Sequence, residues 1–303
     1  MQNDSIHWAV RLLRRTVPYD TKVFRGLYYI YIRLTSVSRL KKKRVSGLDI
    51  QIHAADHCNL QCRGCDAFSP LIEKCFLDMD VFKKDISRLA GLTHGIIGTL
   101  SISGGEPTLH PELPEILDFA RSHFPGQKLQ IITNGILLET AHEDFWAKCK
   151  HNNITISLTC YPINLNIDRI KELAMLHGVD LVFQDDTDVR VKTMYFTPLD
   201  PSGKQNNKVS YRLCFMSNSS FVLENGKLYT CPTIAHIEHF NRFFNQNYAV
   251  SCSDYIDIFK VNSIEEVLDF FCTPMPFCRY CNKKARVSGV KWEPSKKEIS
   301  EWV

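Results

Sequence analysis

The sequence predicts an α/β fold built from parallel βα units, and three observations support this prediction. From Gly47 onward, short apolar stretches alternate with longer stretches of helical periodicity, which is typical of parallel βα units. Turn residues follow the third and fourth apolar stretches, at Asn134-Gly135 and Pro162. The chain has 303 residues, enough for one large domain and a smaller one.

Six strands and four helices are expected in this region. The strands fall near 48–54, 97–102, 128–133, 153–159, 179–184 and 189–196, and the helices near 79–91, 112–123, 139–150 and 166–177. The second strand carries Thr99, Ser101 and Ser103 at alternate positions. Helices cover the outside of such a sheet, so this polar face is expected to point inward. A polar ligand and an internal hydrogen-bond network are both open explanations.

The composition is that of an ordinary soluble protein, with 44% apolar and 23% charged residues. No apolar run approaches the ~20 residues of a membrane span, and the N-terminus lacks an apolar signal core. A cytoplasmic location is therefore expected. In that compartment the twelve cysteines favour metal binding over disulfides.

Residues 1–46 are strongly basic, with eleven Lys and Arg against two Asp, a net charge of +9. Aromatic residues such as Trp8 and Tyr28 interleave with the basic ones. We expect a basic N-terminal helical extension, for which two interpretations are open. It lies peripherally at an anionic membrane, or it packs on the main domain with a solvated basic tail. No nucleic-acid partner is expected, because no recognisable binding module accompanies the charge.

Three cysteines, Cys58, Cys62 and Cys65, are spaced C-x3-C-x2-C. Thiolates are the protein ligands of iron–sulfur clusters, whereas a structural zinc site normally closes with four ligands. Three cysteines without an obvious fourth therefore indicate a [4Fe–4S] cluster with one iron open to another molecule.

About forty residues further on, the chain reads Ser103-Gly104-Gly105-Glu106-Pro107. The two glycines allow a sharp turn and a close approach to a ligand, and Glu106 offers an anionic acceptor for an ammonium group. Following the cysteines by one βα unit, this motif resembles the radical S-adenosylmethionine (SAM) superfamily.

The resemblance implies a partial (β/α)6 TIM-like barrel over residues 47–210, with the site at the carboxyl ends of the strands. It implies that the three cysteines hold a [4Fe–4S] cluster whose open iron binds the amino and carboxylate groups of SAM. It assigns the SAM amino group to the turn formed by Gly104, Gly105, Glu106 and Pro107.

Other SAM contacts are expected from the same resemblance. Where the family often has an aromatic residue before the third cysteine, this chain has Gly64, so we expect Phe68 to contact the adenine. The family's Gly-x-Ile-x-Gly adenine motif is absent from the fifth strand. Asn134 and Ser157 match strand-end positions that contact the ribose or carboxylate.

A second group of cysteines, Cys214, Cys231, Cys278 and Cys281, follows the barrel. Asn225-Gly226 predicts a β-hairpin between the first two, and the last two form a C-x2-C knuckle. By spacing alone, zinc and a second cluster are both open. The pattern resembles the Twitch module, a short form of the SPASM domain, which implies an auxiliary [4Fe–4S] cluster. We expect a small cysteine-rich β-hairpin/helix module over 211–285 and a C-terminal tail over 286–303.

The positions of several further side chains predict their roles. Arg190 and Lys192 on the sixth strand are expected to face the barrel interior and to favour an anionic substrate, unless the strand register points them outward. His236 and His239 are expected to mark a helix surface rather than a metal site.

The resemblance implies that the reduced cluster cleaves SAM to methionine and a 5′-deoxyadenosyl radical, which abstracts hydrogen from the substrate. One barrel with one Twitch cluster resembles aminocyclitol dehydrogenases, so we expect oxidation of a sugar or cyclitol alcohol, with the auxiliary cluster as electron acceptor. A flavodoxin or ferredoxin is the expected reductant, and no catalytic base is identified. A peptide-modifying maturase of the RiPP or sulfatase type and a non-enzymatic metal-binding interaction protein are the alternatives.

Overall fold

The computed structural model describes residues 40–184 and 193–303, together with Val23, Leu27, Ile30, Tyr31 and Leu34. Most of the basic extension, as well as Arg190 and Lys192, lies outside the described residues, so the predictions for them stay predictions. Within the described part of the chain, no helix combines the length and apolar character needed to cross a bilayer.

Between residue 40 and residue 303, the structure describes ten strands and seven α-helices, together with short 3-10 helices. The strands are β1 (Asp49–Ala55), β2 (Thr99–Gly104), β3 (Lys128–Thr133), β4 (Ile154–Leu158), β5 (Leu181–Phe183), β6 (Thr193–Phe196), β7 (Phe221–Glu224), β8 (Lys227–Tyr229), β9 (Tyr255–Asp257) and β10 (Val287–Lys291). The helices are α1 (Met79–Thr93), α2 (Leu113–His123), α3 (Glu143–His151), α4 (Ile167–His177), α5 (Asn207–Leu213), α6 (Pro232–Phe244) and α7 (Ile264–Phe270).

Eight of these strands form one open sheet in the order β5-β4-β3-β2-β1-β7-β8-β9. Strands β1 to β5 are mutually parallel, and β7 joins the free edge of β1 in parallel. Strands β7, β8 and β9 then continue as an antiparallel meander. The predicted α/β fold with an incomplete, TIM-like barrel is confirmed.

The sixth predicted strand forms, but it does not extend this sheet. Instead, β6 pairs antiparallel with β10 in a separate two-stranded sheet, with Val287 opposite Phe196 and Lys291 opposite Thr193. The expectation of a sixth parallel unit is therefore wrong for the described residues, because the C-terminal segment provides the hydrogen-bonding partner of β6.

Helix α1 begins where the sequence supplies a cap. The carboxylate of Asp78 accepts hydrogen bonds from the backbone N–H groups of Asp80 and Val81 at the start of α1, which satisfies two donors left free by the helix. The apolar residues of α1 and the even-numbered residues of β1 lie in the same hydrophobic core, which includes Phe82, Ile86 and Ile52. Each such fully buried side chain stabilises the fold by roughly 1.5–3 kcal/mol.

The opposite face of the sheet is polar and largely buried. Gln51 lies opposite Ser101 on β2, and Ser101 lies opposite Gln130 on β3. The amide of Gln130 donates to the Ser101 hydroxyl over 2.9 Å, and the amide of Gln51 donates to the Ser220 hydroxyl over 2.7 Å. These pairs support the internal network, whereas the Ser103 hydroxyl is buried without a hydrogen-bond partner.

Candidate active site

The glycine-rich turn docks directly onto the backbone that leads into Cys58. The N–H of Gly105 donates to the carbonyl of Ala55 over 2.7 Å, and the N–H of Glu106 donates to the carbonyl of His57 over 3.1 Å. A Cβ on Gly104 would lie 2.2 Å from the Ala55 oxygen, and one on Gly105 would lie 2.3 Å from the His57 oxygen. Both glycines are therefore required by backbone contact.

Glu106 is completely buried, with 0% of its surface exposed. One carboxylate oxygen accepts hydrogen bonds from the N–H and hydroxyl of Thr108 and from the hydroxyl of Thr133, and the other accepts from the N–H of Asn134 at 2.9 Å. Burial raises the pKa of Glu106, although these hydrogen bonds oppose the shift. The carboxylate thus ties the turn to the end of β3, and its direct contact with a SAM ammonium stays a prediction.

The three cysteines of the first loop (residues 58–65) lie near one another and receive N–H donors. The N–H of Leu60 donates to the sulfur of Cys58 over 3.3 Å, and the Asn134 amide does so over 3.6 Å. Burial raises the pKa of Cys58 to about 12, and the nearby negative charges of Glu106, Cys62 and Cys65 add to the shift. Burial likewise raises the pKa of Cys65 to about 12. Clustered thiols with donors aimed at sulfur fit the ligand set of an iron–sulfur cluster.

The C-terminal segment (residues 286–303) covers this loop. Cys62 and Pro294 form an antiparallel bridge, and the N–H of Ser295 donates to the carbonyl of Gln61 over 2.9 Å. The indole N–H of Trp302 donates to the carbonyl of Cys65 over 2.8 Å. The sequence predicts this segment only as a C-terminal tail. The available signal was aromatic content, since two of the four tryptophans lie in it.

Two aromatic residues near Cys62 were also missed. The indole N–H of Trp292 donates to the Cys62 sulfur over 3.1 Å. Burial raises the pKa of Tyr161 well above its usual value, and negative charge on the cysteines and a hydrogen bond to the Cys62 side chain add to the shift. The two rings meet edge to face with centroids 5.9 Å apart. Tyr161 follows β4, at the strand end where a site residue is expected.

The other side chains predicted to contact SAM are those of Phe68, Asn134 and Ser157. Phe68 packs against Phe240 and Trp302, with ring centroids 5.3 Å and 6.2 Å away. The amide of Asn134 donates to the side-chain oxygen of Asn59 over 2.8 Å, beside Cys58. Ser157 is buried in β4. Contacts of these side chains with SAM stay predictions.

The predicted hairpin forms between the first two C-terminal cysteines. Strands β7 and β8 pair with Glu224 opposite Lys227, and the two residues between them, Asn225 and Gly226, both have positive φ, 49° and 74°. This is the conformation that a type I′ turn requires.

All four C-terminal cysteines line one cavity of about 80 Å³. Burial raises the pKa of Cys231 and Cys278, and each is raised further by the charges of other cysteines in the group. Burial opposes ionisation of Cys214, but the ammonium of Lys283 beside it lowers its pKa below the usual value. The structure therefore brings the four predicted ligands together, and a four-thiol donor set fits either a second cluster or zinc.

The prediction that His236 lies on a helix surface is wrong. Only 1% of His236 is exposed, because its face of α6 packs on the polar face of β1 and β7. Its ring stacks on that of His53 with centroids 4.1 Å apart, and Asp56 and Glu224 lie beside it. His239, one turn later, is partly exposed.

Comparison with known proteins agrees with this geometry. The family described as "Radical SAM superfamily" matches residues 52–182, a span that contains the first three cysteines and the glycine-rich turn. A structure of BtrN in complex with AdoMet and 2-DOIA shares the fold, with a TM-score of 0.50 and 17% identity, covering 80% of this chain and 94% of that one.

Two curated relatives match over shorter regions. The S-adenosylmethionine-dependent nucleotide dehydratase of Selenomonas ruminantium is 33% identical over 89 residues, 29% of this chain and 30% of that protein. The GTP 3′,8-cyclase of Chlorobaculum tepidum is 32% identical over 90 residues, 30% of this chain and 26% of that protein. The matched part thus spans less than a third of either relative. Residues 52–182 therefore form a radical SAM domain.

Proposed function

We propose that this radical SAM enzyme oxidises an alcohol group of a small polar substrate, a sugar or a cyclitol, in the cytoplasm. The observation that carries the proposal is a single cavity bordered by both cysteine regions. One side of the cavity is lined by residues in and just after the first loop, Gly64, Asp66 and Phe68. The four C-terminal cysteines line its other side. A substrate radical formed near the first loop would then lie close to a second group of thiols.

Cys58, Cys62 and Cys65 would hold the SAM-binding [4Fe–4S] cluster, and the four C-terminal cysteines would hold an auxiliary one. With SAM bound and one electron supplied by a reductant, the first cluster would yield methionine and a 5′-deoxyadenosyl radical, which would take one hydrogen atom from the alcohol carbon. The auxiliary cluster would accept the electron that remains when the hydroxyl proton is lost. The net change is the two-electron oxidation of an alcohol to a ketone.

The spacing of the sulfurs favours a cluster over zinc in the C-terminal group. Ligand sulfurs of one tetrahedral zinc lie about 3.8 Å apart, given a Zn–S distance of about 2.3 Å. In the described chain, no three cysteine sulfurs lie within 4.8 Å of one another. A cube of four irons, each bound by a different thiolate, accommodates wider separations.

One charged side chain, Asp66, lies where the cavity meets the first loop and would orient the hydroxyl groups of a polar substrate. Lys283 also lines the cavity, but its ammonium lies beside Cys214, where it would offset the negative charge of the auxiliary cluster. Trp292 and the remainder of the C-terminal segment cover Cys62, which keeps water from the reacting region.

The test is turnover by anaerobically purified protein with SAM and a reductant such as flavodoxin, ferredoxin or dithionite. The substrate panel holds sugars, cyclitols and their phosphates, with nucleoside triphosphates and peptides as other classes. We expect 5′-deoxyadenosine and a ketone in equal amounts. A Cys231→Ala variant should still cleave SAM but should lose ketone formation.

Three other results would each replace the proposal. Product from a nucleotide alone would move the chain toward the chemistry named for its curated relatives. Product from a peptide alone would favour a maturase. Iron-free, colourless protein after anaerobic purification would favour a non-enzymatic metal-binding protein. The role of the basic extension at an anionic membrane stays a separate prediction, testable by vesicle sedimentation.

A further inference from the structure

A second group of metal-binding side chains lies on the polar face of β1 and β7, apart from the cysteines. His53 lies on β1, Asp56 follows that strand, Glu224 ends β7 and His236 lies on α6. The Nδ1 atoms of His53 and His236 lie 3.6 Å and 3.8 Å from the same Asp56 oxygen. Nδ1 of His236 also lies 3.5 Å from an oxygen of Glu224.

Four polar atoms in this group are buried and have no hydrogen-bond partner. They are Nδ1 of His53, both ring nitrogens of His236 and the Glu224 oxygen that faces His236. The His236 side chain has 0% exposure. Buried polar atoms are almost always paired in folded proteins, so unpaired atoms on three neighbouring side chains indicate a missing ligand.

The separations match those of atoms bound to one metal ion. Hydrogen bonds from nitrogen to oxygen are about 2.7–3.2 Å long, shorter than any of the three distances. Ligands held about 2.0–2.1 Å from a tetrahedral ion lie about 3.3–3.4 Å apart. The ligand atoms of His53, Asp56 and His236 all lie within 4.8 Å of one another, so a small inward movement would bring them onto one ion.

The two imidazole rings must turn to reach a common ion. The ring planes of His53 and His236 are 10° from parallel with centroids 4.1 Å apart, so the lone pairs of their nitrogens lie in nearly parallel planes. A neutral imidazole keeps a lone pair for a metal. Binding requires the rings to tilt toward each other about their terminal torsions, which have broad minima.

We propose that these four side chains bind a divalent first-row transition-metal ion, taking two imidazole nitrogens and two carboxylate oxygens. Imidazole and carboxylate donors suit zinc and similar ions, and not the iron–sulfur clusters that thiolates bind. Nε2 of His239 lies 3.3 Å from the second oxygen of Asp56, where it would orient that carboxylate. The partly exposed His239 and Glu224 mark the route by which the ion enters.

The ion would fasten α6 to β1 immediately before the first cysteine loop. Asp56 lies two residues before Cys58, so the site fixes the strand end from which that loop departs. This inference does not depend on the proposed substrate or on the nature of the C-terminal cysteine site.

The experiment uses the full chain, purified anaerobically with its clusters, dialysed against a chelator and then given one equivalent of zinc. Zinc K-edge absorption distinguishes the proposed ligands from cysteine. We expect a shell of nitrogen and oxygen atoms near 2.0–2.1 Å with imidazole scattering and no sulfur near 2.3 Å. Protein that retains its iron but no zinc after gel filtration would overturn the proposal without affecting the proposed function. A sulfur shell would also overturn it, and would in addition favour zinc over an auxiliary cluster at the C-terminal cysteines.

Variants test the assignment of ligands. His236→Gln should abolish retained zinc, and Glu224→Gln should weaken zinc binding by at least tenfold, while both keep the wild-type iron content. The matched control is His110→Gln, a buried histidine whose two ring nitrogens already have hydrogen-bond partners. Should His236→Gln fail to fold, the wild-type spectrum and Glu224→Gln still decide. Unchanged zinc binding in Glu224→Gln and His53→Gln would refute the site.

Discussion

The indole N–H of Trp292 donates a hydrogen bond of 3.1 Å to the sulfur of Cys62, a residue that lies 230 positions earlier in the chain. The C-terminal segment thus contributes directly to the surroundings of a predicted cluster ligand. Hydrogen bonds to ligand sulfurs are among the factors that set cluster potentials.

Trp292→Phe should lower the reduction potential of the first cluster. The donor stabilises negative charge on sulfur, which is greater in the reduced state, so its loss disfavours reduction. A hydrogen bond worth about 1 kcal/mol corresponds to roughly 40 mV for one electron. Redox titration followed by electron paramagnetic resonance measures the shift. Trp146→Phe, in α3 where the ring stacks on that of His177, is the control, and equal potentials in wild type and Trp292→Phe would contradict the expectation.

Gly105→Ala should disrupt the glycine-rich turn. Its new Cβ would lie 2.3 Å from the His57 carbonyl oxygen and 2.5 Å from that of Asp56, and backbone atoms there must move to relieve the contact. We expect SAM binding to fall at least tenfold by equilibrium dialysis. Gly91→Ala, in α1 with nothing within 4 Å of the added atom, should instead raise stability by about 0.5–1 kcal/mol. Similar behaviour of the two variants would show that the contact is unimportant.

Glu106→Gln should destabilise the glycine-rich turn by weakening its buried hydrogen-bond network. An amide group presents one acceptor where the carboxylate presents two, so at least one buried donor among Thr108, Thr133 and Asn134 loses its partner. The expected loss is about 1–3 kcal/mol of unfolding free energy, measured by urea denaturation. Glu115→Gln breaks only the exposed pair with Lys83 and should cost less than about 1 kcal/mol. A smaller loss for Glu106→Gln than for this control would be incompatible with the buried network.

The cysteines of the metal-free protein should differ in reactivity with pH. The pKa of Cys58 is raised to about 12 by burial and neighbouring negative charge, so at pH 8 about one such thiol in ten thousand is ionised. Its alkylation rate should rise tenfold per pH unit up to about pH 11, since the thiolate is the nucleophile. The pKa of Cys214 is lowered by Lys283 despite burial, so its rate should level off at much lower pH.

Iodoacetamide labelling followed by peptide mass spectrometry measures both rates. Lys283→Met should slow Cys214 at pH 7 and leave Cys58 unchanged. Equal rates for the two cysteines at pH 7 in the wild-type protein would contradict the electrostatic arrangement.

Local features of the chain were predictable, whereas the pairing of distant segments was not. The Asn225-Gly226 turn acts over a few residues and appears as expected, and the helix predicted near 79–91 is observed at Met79–Thr93. The strand at Thr193–Phe196 was also foreseen. Its partner was not, because hydrogen-bonding capacity along a strand does not specify which segment satisfies it.

The burial of His236 in helix α6 could not be predicted from the sequence either. Helix α6 buries Ile234, Ile237 and Phe240, but also His236, so its buried surface is wider than one apolar stripe. The partner of His236 is His53, 183 positions away, and a polar residue that is buried against another polar residue leaves no hydrophobic signal. The tryptophans of the C-terminal segment were visible in the sequence, yet their targets in the cysteine loop were not.

Because β7 pairs in parallel with β1, the strands next to the two cysteine regions belong to one continuous sheet. A protein cut after residue 210 would leave the backbone N–H and C=O groups on one side of β1 without partners, along the strand that leads into Cys58. Exposed edges of this kind recruit other chains. Separate expression of the two halves is therefore expected to give aggregates, and each half should become soluble only when the other is produced with it.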